Sequence, residues 1–272
     1  MSFIQENITR LNLGLSKEYT LIQFNDVHAV TYDKELDDPE TIDRAINREK
    51  SWMKQRVDFA NKFSEPYNPK SMLSSTECLN RLIEYANETL PDLIIMAGDL
   101  IDFYSRSNHY LLAKAIGKLV RPYLFSCWNH ESPSEYFQDI CQGNCDFHYI
   151  DLTEFFVVSV NNSTRRINQF QLELLQALLT MKRPIILVMH VPIMTEYNLD
   201  EFKRLDSYYT MKYDDCHETT QNFIELVSSV DEVKAILCGH THGTINSYIS
   251  PNKPQFCCSS GLIGFVNKYI IK

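Results

Sequence analysis

The chain has 272 residues, 44% of them apolar and 22% charged, which excludes a disordered or fibrous protein. Its 35 acidic and 26 basic side chains leave a formal charge of −9, a field that repels nucleic-acid polymers and anionic membranes. Small anionic substrates are not excluded, because a bound metal ion reverses the sign of a local site.

Residues 1–15 show no basic region followed by an apolar one, so no secretory signal is read and a cytoplasmic location is expected. No apolar run approaches the roughly 20 residues that a membrane helix requires. Eight cysteines are too dilute for a disulfide scaffold. Cys127 and Cys238 lie in apolar runs and read as core thiols. Cys141 and Cys145 lack a second matching pair and make a poor zinc knuckle. No repeat or Pro/Gly/Ser linker divides the chain, so one domain over residues 1–272 is expected.

Short apolar runs alternate with helical stripes along the sequence. Thr20 to Phe24 reads as a buried strand and is followed by Asp26 and His28. Ile42, Ile46, Met53, Val57 and Ala60 share one face of a helix that carries Arg44, Arg48, Lys50, Lys54 and Asp58 elsewhere. A second stripe from Leu73 to Leu90 is stopped by Pro91. The strand Leu93 to Ala97 leads to Gly98-Asp99 and then Asp102, and Tyr123 to Cys127 leads to Asn129 and His130. Phe155 to Val160 is a further strand, Leu172 to Leu179 a helix, and Ile185 to Met189 a strand ending at His190. A helix around Phe223 to Val227 precedes the strand Ala235 to Cys238, which runs into Gly239-His240-Thr241-His242. Ile245 to Ile249 and Phe256 to Cys258 suit an antiparallel pair. Such alternation argues for a layered α/β fold.

Five strands thus end in the same kinds of residue, and in α/β sheets the carboxyl ends of strands line a common crevice. Asp, His and Asn without cysteine suit a catalytic Mn, Fe or Zn site. Asp26, His28, Asp99, Asn129, His190, His240 and His242 are more donors than one tetrahedral ion needs, so two ions sharing one carboxylate fit better. His109, His148 and His217 read as ordinary structural or surface histidines, and Asp151 and Asn161 as turn residues.

These residues resemble the calcineurin-like metallophosphoesterases, whose signature here reads Asp26-Val27-His28, Gly98-Asp99-Leu100-Ile101-Asp102, Trp128-Asn129-His130-Glu131, His190 and Gly239-His240-Thr241-His242. The resemblance implies a four-layer αββα sandwich of two mixed β-sheets flanked by helices. It implies two divalent or trivalent ions, one held by Asp26, His28 and His242, the other by Asn129, His190 and His240, with Asp99 bridging. It also implies that His130 meets the phosphate or protonates the leaving oxygen and that Asp102 orients it. Trp128 stands where the family has glycine, and a left-handed backbone there would strain a bulky residue.

The expected reaction is hydrolysis of a small phosphate ester without a covalent enzyme intermediate, a phosphodiester by family analogy. The alternatives are a phosphomonoesterase or protein phosphatase, a non-catalytic scaffold of the same fold, and a nuclease, against which the charge of −9 weighs. Cap insertions are expected at about 31–70 and 195–217. Tyr197, Tyr208, Tyr209 and Tyr213 in the second of these could stack on a ring of the substrate.

Overall fold

Strands that are apolar on both faces need cover on both faces, and here two sheets supply it to each other. The computed structural model describes residues 3–68, 72–132, 134–141, 143–203 and 209–272. The first sheet contains β1 (Gln5–Leu11), β2 (Tyr19–Phe24), β3 (Leu93–Met96), β4 (Tyr123–Phe125) and β13 (Phe265–Ile271), in the order β1-β13-β2-β3-β4. The second contains β5 (Phe147–Asp151), β6 (Phe156–Val160), β7 (Ile185–Val188), β10 (Val233–Cys238), β11 (Ile245–Ser250) and β12 (Lys253–Cys257), in the order β11-β12-β10-β7-β6-β5. Both are mixed. β2, β3 and β4 run parallel, as do β6, β7, β10 and β12, while β13 meets β2 and β11 meets β12 antiparallel.

Alternation along each strand sorts its side chains between layers. Leu21, Leu93, Ile95 and Leu124 face Val157, Ile186, Val188 and Leu237 between the sheets. Ile22, Phe24, Ile94 and Met96 point outward to α2 (Ser75–Thr89) and α3 (Arg106–Ile116). On the far side Val158, Leu187 and Ile236 meet α4 (Gln169–Leu179) and α6 (Glu218–Ser229). The result is the expected four-layer αββα sandwich, with its parallel strand ends directed to one edge.

α1 (Pro39–Phe63) lies outside these layers, against the strand ends. Asp38 caps it by accepting from the Thr41 N–H at 2.8 Å, and Ser64 ends it in a left-handed conformation. Its buried residues are Ala45, Trp52, Arg56, Ala60 and Phe63; of the aliphatic stripe read from the sequence only Ala60 is buried, and Met53 is 38% exposed. Polar bonds from Trp52 and Arg48, described below, set its rotation. Of segment 195–217, α5 (Leu199–Phe202), the short pair β8 (Ile193–Met194) and β9 (Met211–Lys212), and two single turns lie in or beside it.

Candidate metal centre

The loops after β2 and β3 are bonded to each other before any side chain is considered. The Asp26 N–H donates to the Gly98 carbonyl at 3.0 Å and that of His28 to the Asp99 carbonyl at 2.9 Å. After β7 and β10, the Gly239 N–H donates to the His190 carbonyl at 3.0 Å. Asp26, His28, Asp99, His240 and His242 all hold positive φ, between 46° and 68°. A non-glycine residue there costs about 1–3 kcal/mol, so these loops carry strain to aim five polar side chains inward.

Those side chains form two clusters. In one, His28 Nε2 and His242 Nε2 are 3.1 Å apart and Asp26 Oδ1 lies 3.5 Å from His242 Nε2. In the other, His190 Nε2 is 3.1 Å from Asp99 Oδ2 and 3.0 Å from His240 Nδ1. Asp99 Oδ2 is also 3.9 Å from His28 Nε2, so Asp99 stands between the clusters. His190 Nδ1 donates to the Ala97 carbonyl at 2.8 Å, which turns the lone pair of Nε2 inward.

Imidazole nitrogens facing each other in this way repel unless a cation or proton lies between them. Asp26 Oδ1, Asp99 Oδ1 and Asn129 Oδ1 are buried without a hydrogen-bond partner, an arrangement that is costly without a cation. Burial pushes the Asp26 carboxyl up to about 7 and the His28 imidazole down to about 4. Burial opposes charge on His190 as well, but Asp99 overrides it and lifts that imidazole to about 9. The donor set therefore fits two metal ions of the kind expected.

Residues outside the proposed ligand set hold the donors in place. Asp26 Oδ2 accepts from Asn25 Nδ2 at 2.6 Å and from the His240 N–H at 2.8 Å, leaving Oδ1 for the cluster. Asn162 Oδ1 accepts from the N–H groups of His190 and Val191. Glu131, fully buried, accepts from the backbone N–H groups of Asp99, Leu100 and Ile101 and fixes the turn that carries Asp99. Glu131 closes the Trp128-Asn129-His130-Glu131 signature without a role read from it, and only their place near strand ends could have marked Asn25 and Asn162.

His130 and Asp102 lie beside the clusters, but their relation differs from the expected one. His130 Nδ1 bonds to the backbone carbonyl of Asp102, while the carboxylate stays 3.6 Å from the ring. That carboxylate is clamped from α1, by Arg48 at 2.5 and 2.7 Å and by Trp52 Nε1 at 2.7 Å. Burial disfavours its charge, yet Arg48 and His28 hold it well below the usual carboxylate range. Trp52 also stacks on His28, with ring centres 4.0 Å apart, and Phe59 meets His242 at 4.5 Å. The charged helix thus covers the centre directly.

Trp128 shows no left-handed backbone, so the expected strain is absent. Its indole packs over Gly98 and stacks on His190. Of the tyrosines considered, Tyr209 reaches His240 at 5.6 Å between ring centres, Tyr197 and Tyr213 are exposed, and Tyr208 lies outside the described residues. A cleft of about 550 Å³ opens beside the clusters, lined by Arg44, Arg48, Phe103, Asn129 and His130 among others.

The family model for calcineurin-like phosphoesterases matches residues 19–244, which span every one of these donors. The chain belongs to that family. This calcineurin-like phosphoesterase is a hydrolase acting on phosphoric ester bonds. Its fold is similar to that of a dimetal phosphatase from Danio rerio, with a TM-score of 0.54, 11% identity, and 90% of this chain and 88% of that one covered. Calcineurin-like phosphoesterase YfkN from Bacillus subtilis aligns over 90% of this chain and 82% of its own, at 13% identity and a TM-score of 0.44. No curated protein matches the sequence significantly. Among the described residues, no helix of the phosphoesterase is long and apolar enough to cross a membrane.

Proposed function

We propose that this phosphoesterase hydrolyses a phosphodiester of a small or nucleotide-like molecule at a binuclear centre. Asp26, His28 and His242 would hold one ion, and Asn129, His190 and His240 the other, with Asp99 shared; Mn, Fe and Zn all suit these donors. The observation that carries the reading is the pair of donor clusters on either side of Asp99, opening onto the cleft of Arg44, Arg48 and His130. A pair of ions bound there supplies charge to the phosphoryl oxygens and activates water.

The protein's own residues then divide the remaining work. His130, whose Nδ1–H donates to the Asp102 carbonyl, would in its protonated imidazolium form present Nε2–H to the departing oxygen as a proton donor. Asp102 acts as a positioning residue through that carbonyl, with its carboxylate locked to α1. Arg44, whose guanidinium lies 4.0 Å over the Phe103 ring, and Arg48 attract the anionic substrate despite the overall acidic balance. We place the enzyme in the cytoplasm, a reading supported by its eight free cysteines.

Turnover of bis-aryl and mono-aryl phosphate esters, each with Mn, Fe and Zn, tests the proposal. Faster diester hydrolysis with at least one metal is expected. Faster monoester hydrolysis with all three would overturn the diester assignment, and no hydrolysis by metal-loaded protein would overturn the catalytic one.

A further inference from the structure

Away from this centre, three sulfur atoms meet in the interior. Cys127, just past β4, has its Sγ 3.3 Å from Cys141 Sγ and 3.6 Å from Cys145 Sγ, and the three lie within 4.8 Å of one another. All three residues are buried. Gln138 Nε2 donates to Cys145 Sγ at 3.3 Å, the kind of bond that stabilises a thiolate. Three residues beyond Cys145, on β5, is His148. Its Nδ1 donates to the Asn144 carbonyl at 3.2 Å, so Nε2 keeps its lone pair, and Nε2 is buried without a partner. β5 pairs His148 with Ser159, whose hydroxyl touches that of Ser126, the neighbour of Cys127.

We propose that the clustered sulfurs of Cys127, Cys141 and Cys145 hold a second, structural zinc-class ion, with the His148 imidazole, which lies outside that 4.8 Å cluster, turning in as the fourth donor. With Zn–S bonds of about 2.3 Å, tetrahedral geometry places sulfurs about 3.8 Å apart, and Cys127 Sγ lies 3.3 and 3.6 Å from the other two. A disulfide instead needs about 2.05 Å between two sulfurs and has no use for the third or for the imidazole. Three thiolates and one imidazole leave no open position, which marks a structural rather than a catalytic site. The ion would tie segment 138–148 to the turn that begins at Cys127 and carries Asn129 and His130. No donor is shared with the centre described above, so the two assignments stand or fall separately.

The test is a cadmium titration of the chelator-treated protein. The phosphoesterase centre contains no sulfur donor, so thiolate-to-cadmium charge-transfer absorption reports the cysteine site alone. One equivalent of absorbing Cd²⁺ is expected, and a mercurial thiol reagent should release one matching Zn²⁺ from zinc-loaded protein. Cys127→Ser, Cys141→Ser and Cys145→Ser should each diminish the absorption, while Cys216→Ser should leave it intact. His148→Ala should weaken Cd²⁺ affinity at least 10-fold, with the absorption retained at saturation; unchanged affinity would remove His148 from the site. No charge-transfer absorption in the folded wild-type protein, or a disulfide among the three cysteines by mass spectrometry, would overturn the proposal without recourse to any variant.

Discussion

Trp128 fills the space that Gly98 leaves: a Cβ added at Gly98 would stand 1.5 Å from Trp128 Cδ1. Gly98 also holds a φ of 93°, so Gly98→Ala combines a collision with backbone strain. Trp128→Gly should cost about 3–5 kcal/mol through the cavity it opens. In the double variant the collision is gone, and Gly98→Ala should then cost only about 1–3 kcal/mol of strain. Urea denaturation of the four proteins should therefore show strong non-additivity. Costs that add within about 0.5 kcal/mol would place the indole elsewhere.

Arg48 and Trp52 together hold the Asp102 carboxylate from α1. Trp52→Phe keeps a ring against His28 but removes one hydrogen bond to a charged acceptor, an expected loss of about 1.5–3 kcal/mol. Arg48→Gln leaves the buried carboxylate without its counter-charge. The half-exposed position of Arg48 moderates the effect, to about 2 kcal/mol. Chemical denaturation curves check both values, and a loss below about 0.5 kcal/mol for either would detach α1 from Asp102.

Metal removal should destabilise the native state, because ions bound only there add stability by mass action. The effect is about 2.7 kcal/mol per ion at a free concentration 100 times Kd. Calorimetry with and without chelator is expected to show a large fall in Tm. Asp99→Asn should lose both ions of the phosphoesterase centre by elemental analysis, since that carboxylate lies between the clusters. Retention of both ions would refute its shared role.

Asp151 offers a pH test remote from the centre. Arg183 binds it through both nitrogens, at 2.5 and 3.0 Å, and holds its carboxyl below the ordinary value. A depressed carboxyl stabilises the fold above its unfolded pKa, about 3.9, and that contribution is lost as pH falls through the lower folded value. Asp151→Asn should cost about 0.5 kcal/mol at neutral pH, as for other exposed pairs. The gap to wild type should close as pH falls below the unfolded value of about 3.9 and through the lower folded one. Urea midpoints across that range provide the check, and a gap that widens on acidification would contradict it.

The layered fold was legible because its central strands are short, apolar on both faces and punctuated by polar residues. β1 and β13 escaped notice: Gln5–Leu11 is an edge strand of mixed polarity, and Asn267 and Lys268 interrupt the apolar pattern of Phe265–Ile271. The convergence of Asp26, His28, Asp99, His190, His240 and His242 followed from their common place after strands. What held them there did not. Glu131, Asn162, Arg48 and Trp52 act through contacts 28 to 54 positions distant in sequence, which no local pattern encodes. The rotation of α1 failed for the same reason, since its aliphatic stripe was outweighed by Trp52 and Arg56 turning inward. Cys141 and Cys145 lacked a visible third thiol because Cys127 arrives from a different strand end.

Each donor cluster draws on both sheets: Asp26 and His28 meet His242, and Asp99 meets His190 and His240. The centre is therefore a pair of rivets through the sandwich, and neither rivet can be set while only one plate exists. During synthesis the last donors emerge at residues 240 and 242, after every strand that leads into a donor has been made. A truncated or half-folded chain would leave metal in solution, so occupancy of the centre records that both halves of the protein have found each other.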